Sequence, residues 1–191
     1  MQDEGIILRK SGHVLALITK ERGRVDVLFF PKRLHQVMAL GTIVSYSEKK
    51  QRDRFIMEET MIEHIPLEWA RNDIHLLHYV LEICYFFMPV GSGGKSTFLL
   101  LKDIYRNFNL FHTVEHQKII VCKLLAHLGI IQDNSSIHEF ANLLLKTSID
   151  KLDMLTINSI CMDDLEEWIT WALVTHKEGE WFRAVPLLLK S

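Results

Sequence analysis

The chain has 191 residues, of which 48% are apolar and only four are proline. This composition supports one large core or two small ones, and it excludes a mainly disordered chain. Apolar runs are interrupted within about ten residues, far short of the roughly 20 that cross a bilayer, and the acidic start MQDEG lacks the apolar core of a signal peptide, so we expect neither feature.

Charge is distributed unevenly along the chain. Residues 1–57 contain 11 Lys and Arg against 6 Asp and Glu, a net +5, whereas residues 58–191 contain 11 against 18, a net −7. The asymmetry predicts two modules, the first suited to a polyanion, although an uneven solvated surface also accounts for it. Cys84, Cys122 and Cys161 are widely separated, which favours a reducing cytoplasm over disulfides or a cysteine zinc site. We expect no cofactor.

Five short β-prone segments are predicted in the first sixty residues. GIILRK forms the first, and HVLALITKERGRVDVLFF contains two that flank a turn at Gly23. VMALGTIVSYS and RFIMEETMI follow, separated by a polar connector, EKKQRDR. Five such strands are enough to close a small barrel that hides its edges.

Helical periodicity begins near residue 66. A first helix follows an N-cap at Asn72 or Asp73, a second follows Ser96, and a third ends at Gly129. SIHE, residues 136–139, predicts a capping box for another helix, and a last apolar stripe runs from Leu165 to Leu173. We therefore predict an α+β chain, with a five-stranded barrel over 1–65 and an all-helical domain over 66–191; that the barrel is an OB-fold is what the family resemblance given below implies.

The segment PVGSGGKST, residues 89–97, resembles half of a phosphate-binding P-loop. Gly94, Lys95 and Ser96 match the end of that motif, but Pro89 stands where its first glycine should be. The preceding residues predict a helix, whereas a P-loop follows a buried parallel strand. A flexible connector with Ser96 as N-cap is the favoured interpretation, and a nucleotide-binding enzyme is the alternative.

HTVEH, residues 112–116, matches the H-x-x-E-H pattern of a class of zinc peptidases. That chemistry needs both histidines on one helical face, with Glu115 as the base. Thr113 is typical of an N-cap, which would leave His112 outside the helix. We interpret the motif as two surface histidines and expect no metal site.

Basic residues cluster around the predicted barrel connections, where side chains can reach a phosphate backbone. Phe29, Phe30 and Tyr46 lie nearby and could stack on bases, although each could equally belong to the core. The candidate DNA contacts are Lys20, Arg22, Arg24, Lys32, Arg33, Lys49, Lys50 and Arg52. No residue is a catalytic candidate.

Several segments resemble the bacterial recombination mediator family RecO. EGIILRK with LALITKERGRVDVLFF is similar to that family's first three strands, and LHYVLEICYFFMP to the first helix of its helical domain. KLLAHLGI resembles its leucine-rich helix, and the closing LLLKS its Leu-Lys-Ser end. The four-cysteine zinc site of many members is missing here, since IIQDNSSIHEF follows the helix without a cysteine.

The resemblance implies a non-enzymatic protein of DNA repair and recombination. Such proteins bind single-stranded DNA, engage RecR and the single-stranded-DNA-binding protein, promote annealing and help to load RecA. It implies a cytoplasmic, nucleoid-associated protein without membrane partners. A protein-interaction scaffold that does not touch DNA is the main alternative.

Overall fold

The N-terminal part of the chain is a closed five-stranded barrel, as predicted. The computed structural model describes residues 2–30, 38–91, 93–154 and 162–176, together with 182, 188 and 189. The strands are β1 (Asp3–Ser11), β2 (Val14–Thr19), β3 (Gly23–Leu28), β4 (Ile43–Gln51) and β5 (Arg54–His64). Their order around the barrel is β1-β2-β3-β5-β4, in which β3 and β5 are parallel and the other neighbours antiparallel. This arrangement is compatible with an OB-fold.

The connection between β4 and β5 is much shorter than predicted. Lys49 pairs with Ile56, and Gln51 pairs with Arg54, so the turn itself consists of residues 52 and 53. The prediction of a seven-residue polar connector is therefore wrong. Polarity indicated a loop, but a two-stranded hairpin that projects into solvent is polar on its exposed faces as well.

The first two strands are buried on both faces. Ile7 and Leu17 point into the barrel interior, whereas their neighbours Ile6, Leu8 and Ile18 pack into the core of the helical part. Strands covered on both faces are expected to carry continuous apolar runs, as GIIL and LALI do. The barrel and the helices therefore share one packed boundary instead of meeting through a linker.

The C-terminal part is helical, as predicted. Among the described residues, two short 3-10 turns, Phe108–Leu110 and Ile149–Met154, accompany the helices, and no helix is both long and apolar enough to span a membrane. The helices are α1 (Leu67–Asn72), α2 (Ile74–Phe87), α3 (Lys95–Asn107), α4 (Val114–His127), α5 (Ser135–Lys146) and α6 (Met162–Thr175).

Local capping signals correctly predicted three helix ends, at Asp73, Thr113 and Gly129, and were wrong at two others. Asp73 caps α2 by accepting a hydrogen bond from the Leu76 amide at 2.8 Å. Gly129 has a φ of +75° after α4, where Ile130 N–H bonds back to the carbonyl of residue 125 at 2.9 Å. The capping box at Ser136 is wrong, because Asn134 is the N-cap of α5 and its side chain accepts from the Ser136 amide.

Candidate nucleic-acid interface

The described residues of the glycine-rich segment, 89–91 and 93–94, lie between two helices and against the barrel. The segment follows α2 and leads directly into α3, so no parallel strand precedes it. Val90 forms a parallel bridge with Arg24 of β3, and the Gly91 amide donates to the Arg24 carbonyl at 2.9 Å. Arg24 precedes the part of β3 that pairs with β5, because that pairing begins at Val27. The segment thus docks the helical part onto the barrel, as a connector.

Close backbone packing explains a glycine at position 94. A Cβ added to Gly94 would lie 2.5 Å from the Gly23 Cα and 2.8 Å from the Thr19 carbonyl oxygen. No side chain fits at such distances from a backbone. The helix begins at Lys95 with Gly94 as its N-cap, so the prediction of Ser96 as N-cap is wrong.

Arg22, in the turn between β2 and β3, is engaged within the barrel. Its guanidinium donates to both carboxylate oxygens of Glu48 and, at 3.0 Å, to Asp3. It also lies 5.2 Å from the centroid of the Phe55 ring. Burial acts to lower the pKa of Arg22, but the hydrogen bonds and charge of Glu48 outweigh it and raise that pKa. This cation joins three strands and is already neutralised by two carboxylates.

Arg24 is engaged at the boundary between the barrel and the helices. Its guanidinium donates to the carbonyl oxygen of Tyr85 in α2 and lies 4.9 Å from the centroid of the Tyr85 ring. Arg9 lies 4.8 Å from the same ring. The tyrosine therefore sits between two arginines from the barrel, in cation–π contacts that fix α2 in place.

The hairpin of β4 and β5 carries the accessible cations. Lys49, Lys50, Arg52 and Arg54 are exposed, and none has a hydrogen-bond or ion-pair partner among the described residues. One acidic residue, Asp53, lies among them. Their charge is therefore available to a phosphate without breaking an intramolecular contact.

The remaining candidates differ in position. Lys20, in the turn between β2 and β3, is exposed, whereas Lys32 and Arg33 lie outside the described residues. Arg54 is not among the predicted contacts. The structure shows it opposite Gln51, at the base of the hairpin turn.

Three aromatic residues near these cations have different environments. Phe29 is 5% exposed and Tyr46 is fully buried, and both belong to the barrel interior. Burial raises the pKa of Tyr46 to about 12, so its hydroxyl stays protonated. Phe30 is 52% exposed, and its ring lies 5.2 Å from that of His13. Of the three, Phe30 is therefore accessible to a ligand.

No family model and no curated protein matches the chain.

The HTVEH segment is the start of a helix. Thr113 is the N-cap of α4 and accepts from the His116 amide at 3.3 Å, as predicted, so the exposed His112 precedes the helix. Within the described segments, no three His, Cys, Asp or Glu side chains are grouped to hold a metal ion. The two histidines therefore do not share one helical face, which a zinc peptidase would require.

Proposed function

We propose that the chain binds single-stranded nucleic acid, DNA above all, along the hairpin of β4 and β5. The supporting observation is a set of four exposed cations on one hairpin that have no side-chain partner within the described part of the chain, Lys49, Lys50, Arg52 and Arg54. In OB-fold barrels, the loops between strands 1 and 2 and between strands 4 and 5 contact oligonucleotides, together with the face of strands 2 and 3. The hairpin of this barrel corresponds to the second of those loops.

Charge neutralisation supplies the free energy of this binding. Each phosphate that a lysine or arginine neutralises releases condensed counterions, with a slope of log K against log salt of about −0.7 per contact for a single strand. Four contacts would give a slope of about −3. Arg22 and Arg24 contribute less, because a phosphate would have to displace Glu48 or the Tyr85 carbonyl.

The biological role that we propose is that of a non-enzymatic mediator in recombinational repair, as the resemblance to RecO implies. The protein would hold a single strand on its barrel while the acidic helical part engages protein partners, such as RecR or the single-stranded-DNA-binding protein. It would work in the cytoplasm, on the nucleoid.

Salt-dependent binding of a labelled oligonucleotide tests the proposal. Fluorescence anisotropy of a single strand of about 16 nucleotides, the upper site size of one OB-fold, would be measured at several salt concentrations. The triple variant Lys49→Ala/Lys50→Ala/Arg52→Ala should flatten the slope by about 2. A control variant, Arg71→Ala/Lys146→Ala/Lys151→Ala, removes three exposed cations from the helical part and should leave the slope unchanged.

Two results would contradict the proposal. Absence of binding at low salt would favour a protein-interaction scaffold. Equal effects of the two triple variants would mean that binding follows net charge and not this hairpin.

ATP binding that is lost in Lys95→Ala would instead support a nucleotide-binding enzyme.

A further inference from the structure

Phe30 is exposed and lies outside both buried core clusters of the described residues. It follows Phe29, which is buried in the barrel, and its own ring is 52% exposed. Most large exposed apolar side chains need no explanation singly. Phe30, however, has an aromatic partner, since the His13 ring lies 5.2 Å from it at an interplanar angle of 33°.

The backbone holds this pair in a defined position. The Phe29 amide donates to the His13 carbonyl at 2.8 Å, and Val14 pairs with Leu28. The turn between β1 and β2 is thereby tied to the end of β3, and the two rings stand on neighbouring backbone segments. A platform held in this way loses little conformational entropy when a flat ligand stacks on it.

The pair lies within reach of the basic hairpin. Leu28 of β3 pairs with Val14 of β2 on one side and with Ile56 of β5 on the other. Phe30, just beyond β3, and Arg54, at the start of β5, therefore lie along neighbouring strands. Phe30 is two residues beyond Leu28 and Arg54 is two residues before Ile56, which separates them by about 14 Å at ordinary strand spacings. A nucleic-acid strand that contacts the hairpin can therefore extend to the aromatic pair.

We propose that Phe30 and His13 form a platform on which one unpaired base stacks, and that this platform makes the site prefer single strands to duplexes. The inference rests on the proposed function, because the cations of the hairpin hold the backbone while Phe30 contacts a base. Stacking needs a free base face, which a duplex does not offer within its stack. Every base has such a face, so the contact is independent of sequence.

The test compares an ordinary oligonucleotide with one of the same length whose backbone lacks bases. Removal of Phe30 in Phe30→Ala should weaken binding of the ordinary strand by about tenfold, the effect of one stacked base. Binding of the base-free strand and of a duplex should change by less than twofold. Phe30→Trp should restore binding, and Leu67→Ala, which shortens another exposed apolar side chain on α1, should have no effect.

The outcomes separate this inference from the proposed function. If the wild-type chain binds no single strand, both fail. If it binds with the expected salt dependence but Phe30→Ala binds equally well, or loses affinity equally for the base-free strand, the platform is refuted and the charge-based site stands. Loss of binding to a protein partner, with unchanged DNA affinity, would instead assign Phe30 to a protein contact.

Discussion

Two basic segments of the barrel, each of which includes a turn, have nearly the same composition but different surroundings. KERGR, at residues 20–24, and KKQRDR, at residues 49–54, are both basic and polar. In the first, Arg22 and Arg24 are held by Glu48, Asp3 and Tyr85. In the second, the cations have no such partners among the described residues.

The difference arises from what lies beside each turn. The turn between β2 and β3 meets the connector at residues 89–94, which packs directly on Gly23. Residues 49–54, at the end of the hairpin of β4 and β5, are exposed to solvent, although the adjacent Phe55 pairs with Val27 of β3. A cluster of cations is therefore available to a ligand only where tertiary packing leaves it free, and each contrast below can be tested by substitution.

The largest effect is expected at the docked turn, from Gly94→Ala. The added Cβ would meet backbone atoms of Gly23 and Thr19, which cannot move aside as a side chain can. We expect the free energy of unfolding to fall by about 3 kcal/mol, the upper range for overpacking. Chemical denaturation measures it. Gly93→Ala is the matched control, because a Cβ added there would lie 3.8 Å from the Glu21 carbonyl oxygen, an ordinary contact distance. Equal losses of stability in the two variants would mean that the contact with Gly23 is unimportant.

Arg22→Ala should come next, with a loss of about 2 kcal/mol of stability. The substitution removes hydrogen bonds to charged groups and leaves Glu48 and Asp3 facing each other. Under native conditions, the DNA affinity of Arg22→Ala should change less than twofold. Lys49→Ala should show the reverse pattern, with stability unchanged and the salt slope reduced by about 0.7. If both variants weaken DNA binding equally, the two turns form one surface.

A buried cation in the helical part extends the comparison to a third environment. Lys123 is 3% exposed and donates to the carbonyls of Leu144 and Thr147, near the end of α5. Burial lowers its pKa to about 8. Between that value and the ordinary lysine pKa of about 10.4, the unfolded chain binds more protons, so this residue's contribution to stability rises with pH.

The measurement that isolates this contribution compares the wild-type chain with Lys123→Met. Unfolding free energies of both would be measured between pH 8 and pH 10. As the pH rises, the unfolding free energy of the wild type should increase relative to that of the variant by up to about 1.4 kcal/mol per pH unit. Titration of the buried Cys84, whose pKa burial raises to about 12, opposes this trend but cancels in the difference. A pH-independent difference would contradict the expectation.

A small gain in stability is expected at the free hairpin, from Arg52→Gly. Arg52 has a φ of +55°, in the left-handed region that favours glycine. Relief of this strain is partly offset by the entropy of an unfolded glycine, so stability should rise by less than about 1 kcal/mol. DNA affinity should fall. Lys50→Gly removes the same charge from a strand and should cost about 0.5–1 kcal/mol; stabilisation by both variants would refute the role of the backbone angle.

The sequence by itself determined the five strands, the helices α2 to α6 and three of the helix ends, whereas α1 was not predicted. Alternating and continuous apolar runs predict the five strands, and the predicted apolar stripes of the helices are buried except at Ile74, which is exposed, and at the half-buried Phe108 and Leu128. Asp73, Thr113 and Gly129 act at helix ends through short-range hydrogen bonds or backbone angles, which depend on residues two to five positions away. Such local interactions are encoded in a short stretch of sequence, so they can be predicted from it.

Tertiary structure alone decided which cations are accessible and why the glycine-rich segment contains glycine. Arg22 meets Glu48, and Gly94 meets Gly23, across 26 and 71 positions in sequence; no local pattern records such contacts. The same holds for Phe29 and Phe30, which are identical residues placed on opposite sides of the barrel wall. Accessibility depends on which distant segments pack against a residue, and this is fixed only when the chain has folded.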